Sequence, residues 1–283
     1  MNTGYALAMV AALGWVTMDL LRKRLAQTMD SFVLALWLNL GMVPLYGVWW
    51  WWTASSLPEP GYALPFVSGV VFSLTGQVLF LLALKWSGMS VVLPMLSLTP
   101  AISTMLAWFG MNEQPAGVQL LGLCLIVGGS LWHALSENGA HLGFSRGTLA
   151  MGTTAVLWSA NSVVDKMALS HASLQVHGCL STSTAVVLLL VIIIARGHAS
   201  QLPVKPGDRL PLLGAVVTLA VAFTSQLAAM TTVMVGLIEG IKRGVGLPMA
   251  VFNGWYWFEE SVDAGTLLRV TLILAGSVFL TLG

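Results

Sequence analysis

Residues 62–84 read YALPFVSGVVFSLTGQVLFLLAL, and no charged side chain interrupts them. A helix needs roughly 20 mostly apolar residues to cross about 30 Å of hydrocarbon, so this stretch is long enough to span a membrane. The whole chain is similar, since 57% of its residues are hydrophobic and only 8% are charged. A soluble domain carries about 25% charged residues, so this chain has too few charged side chains to cover a surface exposed to water. The sequence therefore predicts an all-α integral membrane protein.

Ten apolar runs follow one another along the chain, and we expect ten transmembrane helices. The runs are 4–21, 32–52, 62–84, 89–110, 116–135, 147–164, 177–195, 210–232, 235–257 and 264–282. Short separators rich in charges, proline or glycine lie between them, such as Arg22-Lys23-Arg24 and Pro58-Glu59-Pro60-Gly61. Such clusters mark loops, which we place at the membrane surface.

The two halves of the chain share residues at similar spacing. Pairs separated by 143 to 149 positions are Trp15 and Trp158, Lys23 and Lys166, Gln77 and Gln226, Pro100 and Pro248, Glu113 and Glu260, and Gly129 and Gly276. Residues 1–140 and 147–283 are therefore predicted to be two related five-helix repeats. Because five is odd, the second repeat enters the membrane from the opposite side. Such inverted repeats are typical of secondary transporters.

Several motifs resemble the drug/metabolite transporter superfamily, in particular its EamA-type members with two five-helix halves. They are Leu13-Gly14-Trp15 through Lys23, Pro94 through Pro100 to Glu113, Gln119–Gly122 into Gly128-Gly129, Ile241-Lys242-Arg243, Pro248, and Phe258-Glu259-Glu260 into Gly276. The resemblance covers nearly the whole chain. It implies a central cavity lined mainly by helices 1–4 and 6–9, with helices 5 and 10 at the periphery. It does not specify the substrate, since the superfamily carries amino acids, drugs, nucleotide sugars and sugar phosphates.

The ninth run contains three charges, and intramembrane charges usually face a cavity or a partner. Glu239 lies three residues before Lys242 and four before Arg243, so either can pair with it on one helix face. The remaining positive charge suits a carboxylate or phosphate. A Lys-Arg pair here also resembles the one that sugar-phosphate translocators use for phosphate. The alternative is a structural ion-pair cluster whose side chains reach to the interface.

The first helix supplies a second candidate group. Asp19 lies four residues before Lys23, which favours an ion pair, and Asp19 is a candidate proton carrier. Arg22 and Arg24 fit a basic cluster at a helix end better than a binding site.

Uncharged polar residues supply the third group: Asn39, Gln77, Asn161 and Gln226. A buried amide requires hydrogen bonds, which either a bridged helix or a substrate can provide. Trp15 and Trp158 are expected to line the cavity or to pack in the core. Pro94 and Pro100 are expected to break the fourth helix where a neighbour or cavity compensates.

The five histidines, at 133, 141, 171, 177 and 198, are expected in or near loops, and none has metal-ligand spacing. We assign them no site and expect no metal, cofactor or nucleic-acid partner. A membrane-embedded enzyme would need clustered His, Asp or Ser groups, and the sequence shows no such cluster, so we expect no enzyme.

Together these features predict a secondary transporter of a small polar metabolite with a carboxylate or phosphate, an exporter or exchanger working by alternating access. Proton-coupled efflux of cationic or lipophilic drugs is the alternative. We expect a multi-pass protein of the cell (inner) membrane, in lipid contact, as a monomer or homodimer. Lysine and arginine concentrate after odd-numbered helices, which predicts both termini outside. The family resemblance implies both inside, which is the orientation we adopt.

Overall fold

Ten helical segments, labelled α1 to α10, form the computed structural model, which describes residues 3–137, 145–259 and 261–281. They are α1 (Thr3–Ala26), α2 (Ser31–Thr53), α3 (Ala63–Trp86), α4 (Met89–Val92, Leu93–Ser97 and Leu98–Met111), α5 (Gly117–Glu137), α6 (Arg146–Leu169), α7 (Leu174–Ala195), α8 (Pro206–Met230), α9 (Val235–Phe258) and α10 (Ala264–Thr281). Each predicted run corresponds to one segment, so the predicted helix count is confirmed. Glu260, His141 and most of the connection after α5 lie outside the described residues.

Six segments are individually long and apolar enough to cross a membrane: α1, α2, α3, α4, α7 and α8. The segments α5 and α10 contain shorter apolar stretches. The remaining two, α6 and α9, are not among these candidates, and α9 carries the three charges Glu239, Lys242 and Arg243. Charged residues in a helix of this kind are expected to face the bundle interior rather than lipid.

Two helices extend beyond their apolar patterns. Helix α1 continues to Ala26, so the predicted separator Arg22-Lys23-Arg24 is helical, and that boundary prediction was wrong. Helix α6 continues past Val164 to Leu169 and includes two further charged residues. Arg22 and Lys23 are buried. Contacts inside the bundle therefore stabilise these charges, although charged residues of this kind mark the end of an apolar run in the sequence.

The fourth segment is broken, as predicted from its prolines. A helical turn is followed by a 3₁₀ turn that contains Pro94, and a regular α-helix begins only at Leu98. Proline lacks the backbone N–H that would continue an α-helix. The hydroxyl of Thr99 donates to the Leu96 carbonyl at 2.7 Å. By contrast, Pro248 lies within a continuous α9.

The helices pack as long pairs around a shared interior. Helix α1 packs along α8, α2 along α7, α3 along α6, and α5 along α10, while α9 contacts α1, α4 and α10. The α5–α10 pair is very close, because a Cβ at Gly276 would lie 2.7 Å from the Gly122 carbonyl oxygen. Small residues permit this approach in lipid, where packing drives association. The remaining eight helices surround the centre of the molecule.

Candidate functional site

A cavity lies between seven helices, α1, α2, α3, α6, α7, α8 and α9, and holds about 1050 Å³ of unoccupied space, including the part continuous with solvent. Ten of the eleven residues predicted for the site line it: Trp15, Asp19, Asn39, Gln77, Trp158, Asn161, Gln226, Glu239, Lys242 and Arg243. The eleventh, Lys23, lies elsewhere. The residues predicted from the sequence therefore converge on one cavity. Their roles stay predictions.

The most unusual group in the cavity is the guanidinium of Arg22, which is 2% exposed. Its Cζ lies 5.2 Å from the ring centre of Trp15, 5.3 Å from Phe80 and 5.8 Å from Trp158. Such contacts hold a cation by its attraction to the aromatic faces. The atoms Nε and Nη1 have no hydrogen-bond partner within the described residues. Arg22 therefore presents unpaired donors inside the protein, and its expected place in a basic helix-end cluster was wrong.

The acidic partner of Arg22 is Asp19, at 3.6 Å from Nη1 to Oδ1. Lys23, the partner predicted for Asp19, instead donates Nζ to the carbonyls of Leu84 at 2.8 Å and Ser87 at 2.7 Å. These carbonyls belong to the end of α3, where helical C=O groups need donors from outside the helix. Lys23 is therefore a link between helices rather than a cavity residue.

The charges of α9 separate into a pair and a single cation. Glu239 accepts from Lys242 Nζ at 2.8 Å and from the Ser162 hydroxyl at 3.0 Å. Arg243 instead donates Nε to the Thr99 hydroxyl at 3.1 Å. Lys242 also lies 5.5 Å above the Trp15 ring, which connects α9 with the group around Arg22. Of the two pairings left open by the sequence, the structure shows the one with Lys242.

The polar amides join helices and line the cavity at the same time. Trp15 Nε1 donates to Gln226 Oε1 at 2.7 Å, which connects α1 with α8. Asn39 Nδ2 donates to Gln77 Oε1 at 2.9 Å, which connects α2 with α3. Both alternatives considered for these amides therefore remain, since a bridging side chain also faces the cavity.

Sequence analysis missed a second group, centred on Asp165. Asn161 Nδ2 donates to its Oδ2 at 2.7 Å, and His177 Nε2 lies 3.3 Å from its Oδ1. The other nitrogen of His177 lies 3.0 Å from the Tyr62 hydroxyl. His177 lies in the first turn of α7, near a loop as expected, but it is 1% exposed and its ring contacts Asp165 and Tyr62. The spacing of Trp158, Asn161 and Asp165 places them on one face of a helix, and this pattern could have revealed the group. The predicted apolar run ends at Val164, however, one residue before Asp165.

The cavity therefore has two differently charged groups. Asp165 follows Trp158 by seven residues, and the rise of 1.5 Å per residue separates them by roughly 10 Å along α6. Near Trp158 lie unpaired donors of Arg22, and near Asp165 lies the unpaired acceptor Asn161 Oδ1. Buried polar atoms without partners are rare in folded proteins. The arrangement can accept a ligand with both an anionic and a hydrogen-bond-donating part.

The described residues contain no group of three or more His, Cys, Asp or Glu side chains arranged to hold a metal ion. The expectation of no cofactor stays a prediction.

Comparison with known proteins agrees with this architecture. Residues 2–134 match the model of the EamA-like transporter family. No curated protein matches the sequence significantly. Among solved structures, one described only as "Crystal structure of protein" superposes over 100% of this chain and 97% of its own, with a TM-score of 0.75 at 17% identity. The two share a fold. The family match confirms, over residues 2–134, the resemblance drawn from the sequence motifs.

Proposed function

We propose that the chain, whose residues 2–134 match the EamA-like transporter family, is a multi-pass membrane transporter of this kind, namely a secondary carrier of a small polar metabolite bearing a carboxylate or phosphate. The carrier is an exporter or exchanger that works by alternating access between two five-helix halves, residues 1–140 and 147–283. We place it in the cell (inner) membrane, as a monomer or homodimer.

The packing supports the proposal that the halves are inverted repeats. A two-fold relation between the halves exchanges each helix with the one five places away along the chain. This exchange converts the α1–α8 pair into the α6–α3 pair, which is also present. It leaves the α2–α7, α4–α9 and α5–α10 pairs unchanged. The lysines agree at atomic detail. Lys23 Nζ donates to the Leu84 carbonyl at 2.8 Å, and Lys166 Nζ donates to the Val233 carbonyl, also at 2.8 Å. Both carbonyls lie at or just after the end of the third helix of the corresponding half.

The single observation that carries the substrate class is the buried guanidinium of Arg22, which has the ion-pair partner Asp19 at 3.6 Å but whose Nε and Nη1 make no hydrogen bond within the described residues. Arginine binds carboxylates and phosphates through two parallel N–H donors, and such bonds are about twice as strong as neutral ones. Lys242 and Arg243 line the same cavity and add positive charge. An anionic group of the substrate would satisfy the donors that Arg22 leaves free.

Counterflow in proteoliposomes tests this function. Vesicles loaded with an excess of one unlabelled carboxylate or phosphate metabolite at a time are expected to accumulate the labelled compound for one chemical class of the panel. Arg22→Gln is expected to reduce this uptake about 100-fold, the size expected when about 2.7 kcal/mol of binding is lost. Arg24→Gln, on the exposed side of the same helix, is the matched control and should leave uptake unchanged.

The basic residues of α9 need a charge-balanced variant, because Lys242 neutralises Glu239. The double variant Glu239→Gln/Lys242→Gln and the single variant Arg243→Gln are each expected to impair counterflow while folded protein is retained. If every anion in the panel fails, or if Arg22→Gln transports normally, the proposed substrate class is wrong.

One observation favours the alternative, efflux of cationic or lipophilic compounds. Asp165 has no lysine or arginine partner within the described residues, and the cavity also contains Trp15, Trp158 and Phe223. Tetraphenylphosphonium, a lipophilic cation, discriminates the two. If its export depends on Asp165 and is independent of Arg22, the drug-efflux function replaces the metabolite carrier.

A further inference from the structure

A line of three polar side chains leads from the cavity to the connection between α2 and α3. Asp165 Oδ1 lies 3.3 Å from His177 Nε2, and His177 Nδ1 lies 3.0 Å from the Tyr62 hydroxyl. All three residues are at least nine-tenths buried. Because these side chains come from α6, from α7 and from the residue before α3, the line depends on the tertiary fold.

Asp165 differs from the other two carboxylates in the cavity. Asp19 pairs with Arg22, and Glu239 pairs with Lys242, so protonation of either carboxylate would leave the positive charge of its partner uncompensated. Asp165 is held by the Asn161 amide and by His177 instead. Among the described cavity carboxylates, it is therefore the one that can gain a proton without leaving a lysine or arginine uncompensated.

The carboxylate of Asp165 is open to the cavity on its other side. A Cβ at Gly69 would lie 3.2 Å from Asp165 Oδ1 and 3.6 Å from the unpaired Asn161 Oδ1. Gly69 also lines the cavity. The missing side chain therefore leaves Asp165 in contact with the space in which the substrate is expected to bind.

Tyr62 forms the outer end of the line. It lies in a loop that is docked on the end of α6, since Glu59 N donates to the His171 carbonyl at 2.8 Å. A phenol is protonated at neutral pH, so Tyr62 keeps a hydrogen to donate to His177.

We propose that Asp165 is the proton-binding site of the carrier, and that His177 and Tyr62 conduct the proton between Asp165 and the membrane face at which the α2–α3 connection lies. This inference rests on the proposed function as a secondary transporter, because it supplies the coupling ion. A proton and a substrate that share one cavity change each other's affinity, which is the linkage that coupled transport requires.

The transfer conserves protons and bonds. Tyr62 accepts a proton from the aqueous side as its own O–H bond breaks and an N–H bond forms at His177 Nδ1. The Nε2–H bond of His177 then breaks as an O–H bond forms at Asp165 Oδ1. Histidine suits this step because its two nitrogens alternate as donor and acceptor, and both distances are within or close to hydrogen-bond reach.

Other titratable groups near Asp165 are accounted for. Tyr46 of α2 interacts electrostatically with it, but the Tyr46 hydroxyl bonds to Thr224 at 2.8 Å. On α6 itself, Lys166 bonds to Glu113 and to the Val233 carbonyl. On α9, Glu239 is committed to Lys242 and Ser162. The line through His177 is thus the one that contacts Asp165 directly.

Infrared difference spectroscopy on the full chain in lipid tests the site without any substrate. Acidification is expected to produce C=O bands of several protonated carboxyl groups, and one of these bands should be missing in Asp165→Asn and shifted in frequency in Asp165→Glu. Asp19→Asn and Glu239→Gln are controls that should keep the band. If the band persists in Asp165→Asn, the assignment is overturned. Because no substrate is used, this result is independent of whether counterflow succeeds.

The route is tested by the rate at which the band appears after a rapid change of pH. Tyr62→Phe removes the hydroxyl and is expected to slow the appearance at least tenfold. Tyr46→Phe is the matched control, because Tyr46 is equally buried and near Asp165 but not bonded to His177. An unchanged rate in Tyr62→Phe would overturn the route through His177.

Discussion

Helices α1 and α6 occupy corresponding places in the two halves, and they agree at some positions and differ at others. Both carry a tryptophan in the cavity wall, Trp15 and Trp158, and both carry a lysine one turn from the helix end. Between these, α1 has Arg22 where α6 has Asp165. The positions that agree hold the frame, while the differing position gives the cavity a cation on one helix and a carboxylate on the other.

This difference teaches how a repeated scaffold acquires a directional site. A symmetric pair of helices with identical charges would present the same group twice. Here each lysine donates to a carbonyl at or just after the end of the third helix of its half, and Lys166 also pairs with Glu113 at 2.6 Å. The charge changes sign between Arg22 and Asp165, which allows an anionic and a cationic part of the cavity to coexist within one fold.

The largest effect in the comparison of α1 with α6 is expected from replacing the two lysines. Lys23→Met and Lys166→Met are each expected to reduce the free energy of unfolding by about 2–3 kcal/mol, because charge-assisted bonds to buried carbonyls are lost. Thermal unfolding in detergent measures the effect. Lys205→Met, at an exposed position, should leave stability unchanged. If only one of the variants Lys23→Met and Lys166→Met is destabilised, the two lysines are not structurally equivalent.

Replacing Arg22 by lysine tests the differing position while the charge is retained. A lysine ammonium cannot present two parallel donors or stack its face on the rings of Trp15 and Trp158. We expect Arg22→Lys to reduce counterflow about tenfold, equivalent to about 1.4 kcal/mol. Transport equal to that of the parent protein would show that a point charge is sufficient.

The two tryptophans are expected to differ in their contribution to stability. Trp15→Phe removes the bond to Gln226 at 2.7 Å and should cost about 1 kcal/mol. No hydrogen bond from Trp158 Nε1 is found within the described residues, so Trp158→Phe should cost less. The melting temperatures of the two variants measure the difference, and equal losses would contradict it.

The smallest expected difference lies at the first turns of α5 and α10. Gln119 Oε1 accepts from Ala116 N, and Asp263 Oδ1 accepts from Thr266 N, both at 2.7 Å. The bonds to Thr266 hold the pKa of Asp263 below its usual range. The stabilisation by Asp263 is therefore present above the unfolded-state pKa and is lost as the pH falls through the lower, folded-state pKa.

Unfolding scans between neutral and strongly acidic pH measure this contribution. Asp263→Asn should lose a small part of the acid sensitivity of the parent protein. Gln119→Glu should introduce a sensitivity of the same sign, since it places a carboxylate at the matching turn. An acid response that Asp263→Asn leaves unchanged would contradict the assignment.

Much of the fold was accessible from the sequence, because a lipid-spanning helix reveals itself through the length of its apolar run. The polar residues of the cavity were accessible for the same reason, since a glutamine or an arginine stands out within such a run. Asp165 and His177 were missed because each lies at the edge of a run, where a loop is the simpler interpretation. Their partners come from other helices, and local patterns contain no information about which helices meet. The environment of Arg22 was also missed, because the rings of Phe80 and Trp158 around it come from other helices.

The pairing of the cavity charges has a consequence for the synthesis of the protein. Asp19 and Arg22 are three residues apart on one helix, and so are Glu239 and Lys242. Each helix can therefore enter the bilayer with its opposite charges already together, before the rest of the chain has left the ribosome. Arg243 is different, because its partner Thr99 arrives on another helix. Its cost of insertion, about 2.5–3.5 kcal/mol for a lone arginine, is relieved further when α9 meets α4 and the bond to Thr99 forms.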